Sequence, residues 1–256
     1  MTPDASTGKC ALCGATVSKK EMTKHLKACL AARQPEPNTA MGKKPRRTTV
    51  FHLLVEGQYA PQYWLHVGAK TKARLDDLDG FLRDIWLECC GHLSEFKIGK
   101  TRHSSYSEDD FDDEGMDASL EDVLPQGKFF HDYDFGTTTH LALKVLGMHE
   151  AVQQDKVILL ARNDPPVILC DCGKPAEWVC GECIWDGKGW LCADCARKHK
   201  CESEGFLPVV NSPRVGQCGY TGDAEYGYFA DAEDESEDGL EDESEEDSAE
   251  ETADGQ

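Results

Sequence analysis

Residues 170–201 read CDCGKPAEWVCGECIWDGKGWLCADCARKHKC. Seven of the chain's thirteen cysteines and one histidine fall within this stretch. They come as four close pairs: Cys170 with Cys172, Cys180 with Cys183, Cys192 with Cys195, and His199 with Cys201. A C-x-x-C turn sets two sulfurs on one side of a tight knuckle, so each pair can supply half of a tetrahedron, and two such motifs in succession are a strong zinc signal. Four pairs predict two ions. Spacing alone leaves two pairings open, consecutive pairs sharing an ion or alternate pairs interleaving.

Dense cysteine also fits disulfides, which need an oxidising compartment. The opening residues MTPDASTGK lack the apolar core of a signal peptide, and no apolar run reaches membrane-spanning length. The expectation is a cytoplasmic chain with reduced, metal-binding thiols and no membrane segment. With every position Cys or His and none left for water, these sites predict structural rather than catalytic metal.

The order of ligands resembles the cross-braced small zinc modules, B-box and MYND, and WLCADCARKH at 190–199 is closest to the B-box. In that family the first and third pairs share one zinc and the second and fourth the other. The resemblance implies one site of Cys170, Cys172, Cys192 and Cys195, and another of Cys180, Cys183, His199 and Cys201. The single-residue gaps in Cys170-Asp171-Cys172 and His199-Lys200-Cys201 are tighter than usual, which leaves Cys218, in GQCG, as a substitute ligand.

A further metal signal lies at 8–32. Cys10 and Cys13 are followed, after eleven intervening residues, by His25, and His25 and Cys29 are four apart. Ser18 with Glu21 reads as a capping box, so a helix should begin there and carry His25 and Cys29 on one face. A cysteine knuckle facing a helix is a CCHC-type finger, too small to fold without its ion. The total expected is about three structural zinc ions.

Net charge is −21, but unevenly spread. Residues 1–47 hold ten Lys/Arg against three Asp/Glu; residues 231–256 hold fifteen Asp/Glu and no Lys/Arg. Such asymmetry points to interaction tails. The acidic whole argues against a dedicated duplex-DNA binder, although the basic segment 9–47, with KKPRR at 43–47, offers a route to nucleic acid. Residues 33–46 read as a basic, Pro-rich linker and 228–256 as a disordered acidic tail.

Residues 47–165 read as the main domain. Phe51, Leu53 and Val55 alternate as in a strand, as do Tyr63, Leu65 and Val67. Leu75, Leu78, Leu82, Ile85 and Trp86 recur at helical spacing, predicting a helix over 75–89 with Gly91 as its C-cap. Strands are expected at 92–98, 128–135, 140–146 and 157–161, a short helix at 120–124, and an acidic loop at 107–122. The class predicted is α+β: a mixed-sheet core with a helix on one face, flanked by two zinc-stabilised modules. Cys89 and Cys90, being adjacent, read as buried thiols near a helix end.

The order of these elements, with LDDLDGFL at 75–82, resembles the Ri-plasmid ORF-3-like family, a plasmid and transposon-passenger domain. The sharpest motifs are His92-Leu93-Ser94-Glu95-Phe96 and Tyr133-Asp134-Phe135-Gly136. The family usually continues with D-x-W-E-H, where this chain has Thr137, Thr138, Thr139, His140 and Leu141. The resemblance implies a compact α+β domain with no established catalytic activity. In strand conformation Asp132 and Asp134 would share a face, near His131, which admits a metal-dependent hydrolase site. No G-x-S-x-G, P-loop or H-E-x-x-H motif accompanies it. The expectation is a non-enzymatic, zinc-binding adapter that meets a protein partner. The alternatives are a nucleic-acid-associated protein and a hydrolase. Oligomeric state is not legible.

Overall fold

The computed structural model describes residues 6–32, 47–106, 113–124, 126–201 and 205–222. The linker at 33–46, residues 107–112 of the acidic loop and the tail at 228–256 lie outside the described residues.

Ten strands form one sheet: β1 (Thr7–Cys10), β2 (Thr16–Ser18), β3 (Thr48–Gly57), β4 (Trp64–Lys70), β5 (Ser94–Ile98), β6 (Thr101–Ser104), β7 (Asp113–Gly115), β8 (Lys128–Tyr133), β9 (Thr139–Ala151) and β10 (Val157–Asn163). They lie in the order β2-β1-β10-β4-β3-β9-β8-β5-β6-β7. Neighbours run antiparallel except β6 and β7, so the sheet is mixed. The helices are α1 (Lys19–Ala32), α2 (Leu75–Leu82), α3 (Leu120–Val123) and α4 (Ala193–Ala196). A second sheet of three short strands joins β11 (Trp178–Val179) to β12 (Trp190–Leu191) and β13 (Leu207–Pro208). The fold is α+β.

Alternation sorts the side chains of the central strands onto two faces. Phe51, Leu53, Val55, Leu65 and Val67 point to the face covered by Leu75, Leu78 and Leu82 of α2. The other face is also closed. Leu54, Trp64 and Leu160 pack with Met22 and Leu26 of α1 in a second apolar cluster. The N-terminal finger is therefore not a free module ahead of the domain. Its first strand β1 pairs antiparallel with β10, through Gly8 opposite Asn163 and Cys10 opposite Ala161, and extends the sheet. Met22 and Leu26 are fully buried, and each such burial contributes about 2 kcal/mol. Gly8 permits the contact: a Cβ there would come within 2.3 Å of the Arg162 carbonyl oxygen and 2.5 Å of the Trp64 ring.

The helix expected over 75–89 is regular only to Leu82. The next five residues, Arg83–Leu87, widen into a π turn closed by the Glu88 N–H on the Arg83 carbonyl. The wider turn keeps Ile85, Trp86 and Leu87 all buried. Gly91 is left-handed (φ +74°), but it lies beyond the helix end at Leu87 and is not its cap. The described part of the acidic loop contains β7, parallel to β6. Strand β9 runs longer than expected, to Ala151, because it pairs with the whole of β3.

On the finger side of the sheet, His52 and His66 are buried, with His52 Nε2 2.8 Å from His66 Nδ1. Burial presses His52 down to about 4 and His66 to about 3. Both are neutral in the fold. The denatured chain takes up protons below about pH 6.5, which the native pair refuses, so this pair's contribution is whole above that pH and is lost as pH falls towards 4. A His52→Gln/His66→Gln variant should therefore lose less stability between about pH 7 and pH 5 than the native chain in urea unfolding. Equal losses would show that the pair is not the source.

Candidate metal centres

Four clusters of Cys and His bring their ligand atoms within 4.8 Å of one another and could hold a metal ion. A tetrahedral ion with Zn–S of about 2.3 Å and Zn–N of about 2.0 Å separates its ligands by about 3.7 Å (S to S) or 3.5 Å (S to N). Disulfide sulfurs lie about 2.05 Å apart. All thirteen cysteines are free thiols.

The first cluster joins Cys10, Cys13, His25 and Cys29. The turn between β1 and β2, with Gly14 left-handed (φ +74°), presents the two cysteines. Helix α1 presents His25 and Cys29 one turn apart. Cys13 Sγ lies 3.3 Å from His25 Nε2. Ser18 Oγ donates to Glu21 Oε2 at 2.8 Å, side chain to side chain. The Ala15 backbone N–H donates to Cys13 Sγ and draws that thiol down to about 7, towards the thiolate a metal needs.

The second and third clusters interleave. Cys170, Cys172, Cys192 and Cys195 converge, with Cys172 and Cys192 sulfurs 3.6 Å apart. Cys180, Cys183, His199 and Cys201 converge beside them, with Cys180 to Cys201 at 3.5 Å and Cys183 to His199 at 3.3 Å. β11 and β12 carry the knuckles: Cys180 follows β11, and Cys192 follows β12 and opens α4. Backbone N–H groups of Cys172 and Cys192 turn towards Cys170 Sγ and lower that thiol to about 6. The N–H of Cys195 does the same for Cys192, lowering it. Each cluster offers two atoms from one knuckle and two from another part of the chain.

The fourth cluster, Cys89, Cys90, His92 and Cys218, was not expected. Cys89 and Cys90 are not buried thiols at a helix end. Cys90 is exposed, Cys89 half-buried, and both side chains turn to the same place, their sulfurs 3.6 Å apart. The break of the helix at Leu87 makes this possible, since the extended backbone from Glu88 frees the cysteines from helical directions. Nor does Cys218 substitute in the C-terminal module. Its segment runs back over the core, where the Trp86 indole N–H donates to the Asn211 carbonyl at 3.1 Å and Ser212 Oγ donates to the Trp86 carbonyl at 2.7 Å.

The two carboxylates singled out as a hydrolase site do not converge. β8 ends at Tyr133, and Asp134 is left-handed (φ 65°), so Asp132 and Asp134 do not share a strand face. Asp132 lies 2.6 Å from Lys97 Nζ and 2.7 Å from His140 Nδ1. Asp134 receives Arg214 Nη2 at 2.7 Å and the backbone N–H groups of Gly136 and Thr137. His131 is committed elsewhere, its Nε2 2.7 Å from Asp79 Oδ1. These partners hold the carboxyls of Asp132 and Asp134 below the ordinary range despite burial. Each carboxyl is thus charged and engaged by its own partners, and the two do not face a common point.

No family model matches the chain, and no curated protein matches it. The chain is similar in structure to a protein of unknown function from Methanosarcina mazei Go1, with a TM-score of 0.40 and 17% identity, over 45% of this chain and 71% of that one. Among the described residues no helix is long and apolar enough to cross a membrane.

Two outcomes follow. Cys180→Ser should release at least one metal ion per chain and weaken retention at the neighbouring Cys170 cluster, because Cys192 and Cys195 sit between Cys183 and His199 in the chain; competition with a colorimetric chelator would measure both. Asp134→Asn keeps a residue that tolerates the left-handed backbone but removes the counter-charge of the fully buried Arg214. It should cost about 3 kcal/mol in urea unfolding, as for other buried pairs broken on one side.

Proposed function

We propose that this chain is a zinc-binding, non-enzymatic adapter whose metal modules present surfaces to a protein partner. The observation that carries the reading is the closed ligand set. The three clusters at 10–29, 170–195 and 180–201 each supply four Cys or His atoms. Sets of three thiolates and an imidazole, or four thiolates, suit zinc, and a full set leaves no position for a reacting water. The core carboxylates most suited to catalysis are already paired with cations.

The C-terminal module supports the partner half of the reading. Val167, Leu169, Trp178 and Trp185 stand exposed on it, Trp185 at 70%. Large apolar side chains on a small rigid support are the usual anchors of protein contact. We also read residues 47–165 as a domain of the Ri-plasmid ORF-3-like kind, with a link to plasmid or mobile-element biology. The support is its two motifs, which lie side by side in the fold: Ser94 is opposite Tyr133, and the Asp134 N–H donates to the Leu93 carbonyl at 2.9 Å.

A nucleic-acid role would use residues 9–47. Within that segment Lys19 pairs with Glu56 at 2.5 Å and so is not offered to phosphate. The readings separate experimentally. The adapter reading expects a protein retained by the full chain and lost with Trp178→Ala/Trp185→Ala at unchanged zinc content. Polyanion binding that weakens steeply with salt would instead favour nucleic acid. Turnover abolished by Asp132→Asn would favour the hydrolase.

A further inference from the structure

The segment from Asn211 to Tyr220 lies between two bodies. On one side Arg214, fully buried, reaches Asp134, Thr137 and Thr139 of the core. On the other side Gly216 (φ +78°) lies so close to Ile184 and Val179 of the C-terminal module that a Cβ would come within 3.0 Å of each. Cys218 follows two residues later, and its sulfur arrives at Cys89, Cys90 and His92.

The distances at this junction are 3.6 Å from Cys89 Sγ to Cys90 Sγ, 3.8 Å from Cys90 Sγ to Cys218 Sγ, 3.1 Å from Cys218 Sγ to His92 Nε2 and 2.9 Å from Cys90 Sγ to His92 Nε2. The sulfur pairs match the edge of a tetrahedral thiolate site, about 3.7 Å, and are far longer than the roughly 2.05 Å of a disulfide. The histidine edges are somewhat short of that ideal. The backbone supplies an independent sign. Among the described residues, Asp134 and Cys218 are the non-glycine residues with positive φ, and Asp134 Oδ2 lies 3.5 Å from His92 Nε2. A cysteine held at φ 44° is a strained conformation that persists only where its surroundings fix it, and such positions cluster at ligand sites. Gly91 (φ +74°) lets the chain reverse between Cys90 and His92, so three residues of one short turn face one point. Arg214 Nη2 donates to Cys89 Sγ at 3.3 Å, which fixes the direction of that side chain.

We propose that Cys89, Cys90, His92 and Cys218 bind a fourth tetrahedral ion of the Zn2+ class, and that this ion fastens the C-terminal module to the sheet domain. Its ligands come from 89–92 and from position 218, far apart in the chain, so the ion closes a long loop that the other three sites do not close. Two cysteines and the histidine come from consecutive turns of one short segment, so Cys218 is the ligand whose loss opens the joint. The site is independent of the adapter role: it can be present whether or not the chain meets a partner.

Native mass measurement of the full chain under reducing conditions tests this. Four metal ions per native chain, and three in Cys218→Ser, is the expected result. Amide exchange over residues 211–220 should rise in that variant while exchange over β3 and β4 stays as in the native chain. If Cys218→Ser does not fold, His92→Asn and Cys90→Ser are read in its place, with the same loss of one ion. Cobalt substitution gives a second readout: each variant should lose about a quarter of the thiolate-to-cobalt absorbance, because the site holds three of the thirteen cysteines in the four clusters. Three ions in the native chain overturn the assignment, as do four ions retained in all three variants, or a mass two units low from a Cys90–Cys218 disulfide. Loss of partner binding with four ions intact would bear on the adapter reading alone.

Discussion

The centre of the large sheet, strands β3, β4 and β10, carries apolar side chains on both faces, and both faces have to be closed. Leaving Trp64, Leu160 and Leu54 in water would expose an apolar surface of the size that soluble chains rarely leave open. Helix α2 closes one face. The other is closed by the helix of the N-terminal finger, through Met22 and Leu26. The finger is thus part of the core's own packing, and the ligand cluster at 10–29, which could hold a metal ion, sits at the foot of a helix that the sheet requires as its cover. The same constraint places Gly8 where β1 must approach Trp64 without a side chain between them.

The carboxylates buried beside this core are paired. Asp79 receives Arg83 and His131; Asp132 receives Lys97 and His140; Asp134 receives Arg214. Buried charges left single cost far more than they return, so pairing is the condition for their presence inside. Here it also fixes geometry. Arg214 joins the end of β8, the start of β9 and the Cys89 thiol to one guanidinium, with its carbon 4.8 Å from the centre of the Tyr133 ring. A residue from the far end of the described chain is therefore built into the middle of the domain, and the 211–220 segment cannot belong to the C-terminal module alone.

The C-terminal module works on a different principle. Its two-residue strands and single-turn helix are short, and its two Cys/His clusters could hold metal ions that supply what so little apolar burial does not. The two ligand sets interleave along the chain, so the residues of each set are bracketed by residues of the other. Backbone N–H groups lower the Cys170 and Cys192 thiols, while the neighbouring sulfurs raise Cys195.

Ligand spacing in the sequence was enough to find the clusters at 10–29 and 170–201, because knuckles are local: two residues between cysteines determine where both sulfurs point. Period-two and helical alternation likewise located β3, β4 and α2, and a short apolar run located β10, since those faces are set by the chain's own geometry. Tertiary structure decided the rest. Nothing local shows that β1 pairs with β10 across some 150 residues, that the helix opens into a π turn at Arg83, or that Asp134 leaves the strand to meet Arg214. The fourth cluster was invisible for the same reason. Cys89 and Cys90 look unable to share a ligand as long as they are placed on a helix, and only the broken helix, the left-handed Gly91 and the return of Cys218 from 126 residues away give them a common point. Short-range geometry is written in the order of residues; contacts that must first pay the entropy of closing a long loop are written only in the packed whole.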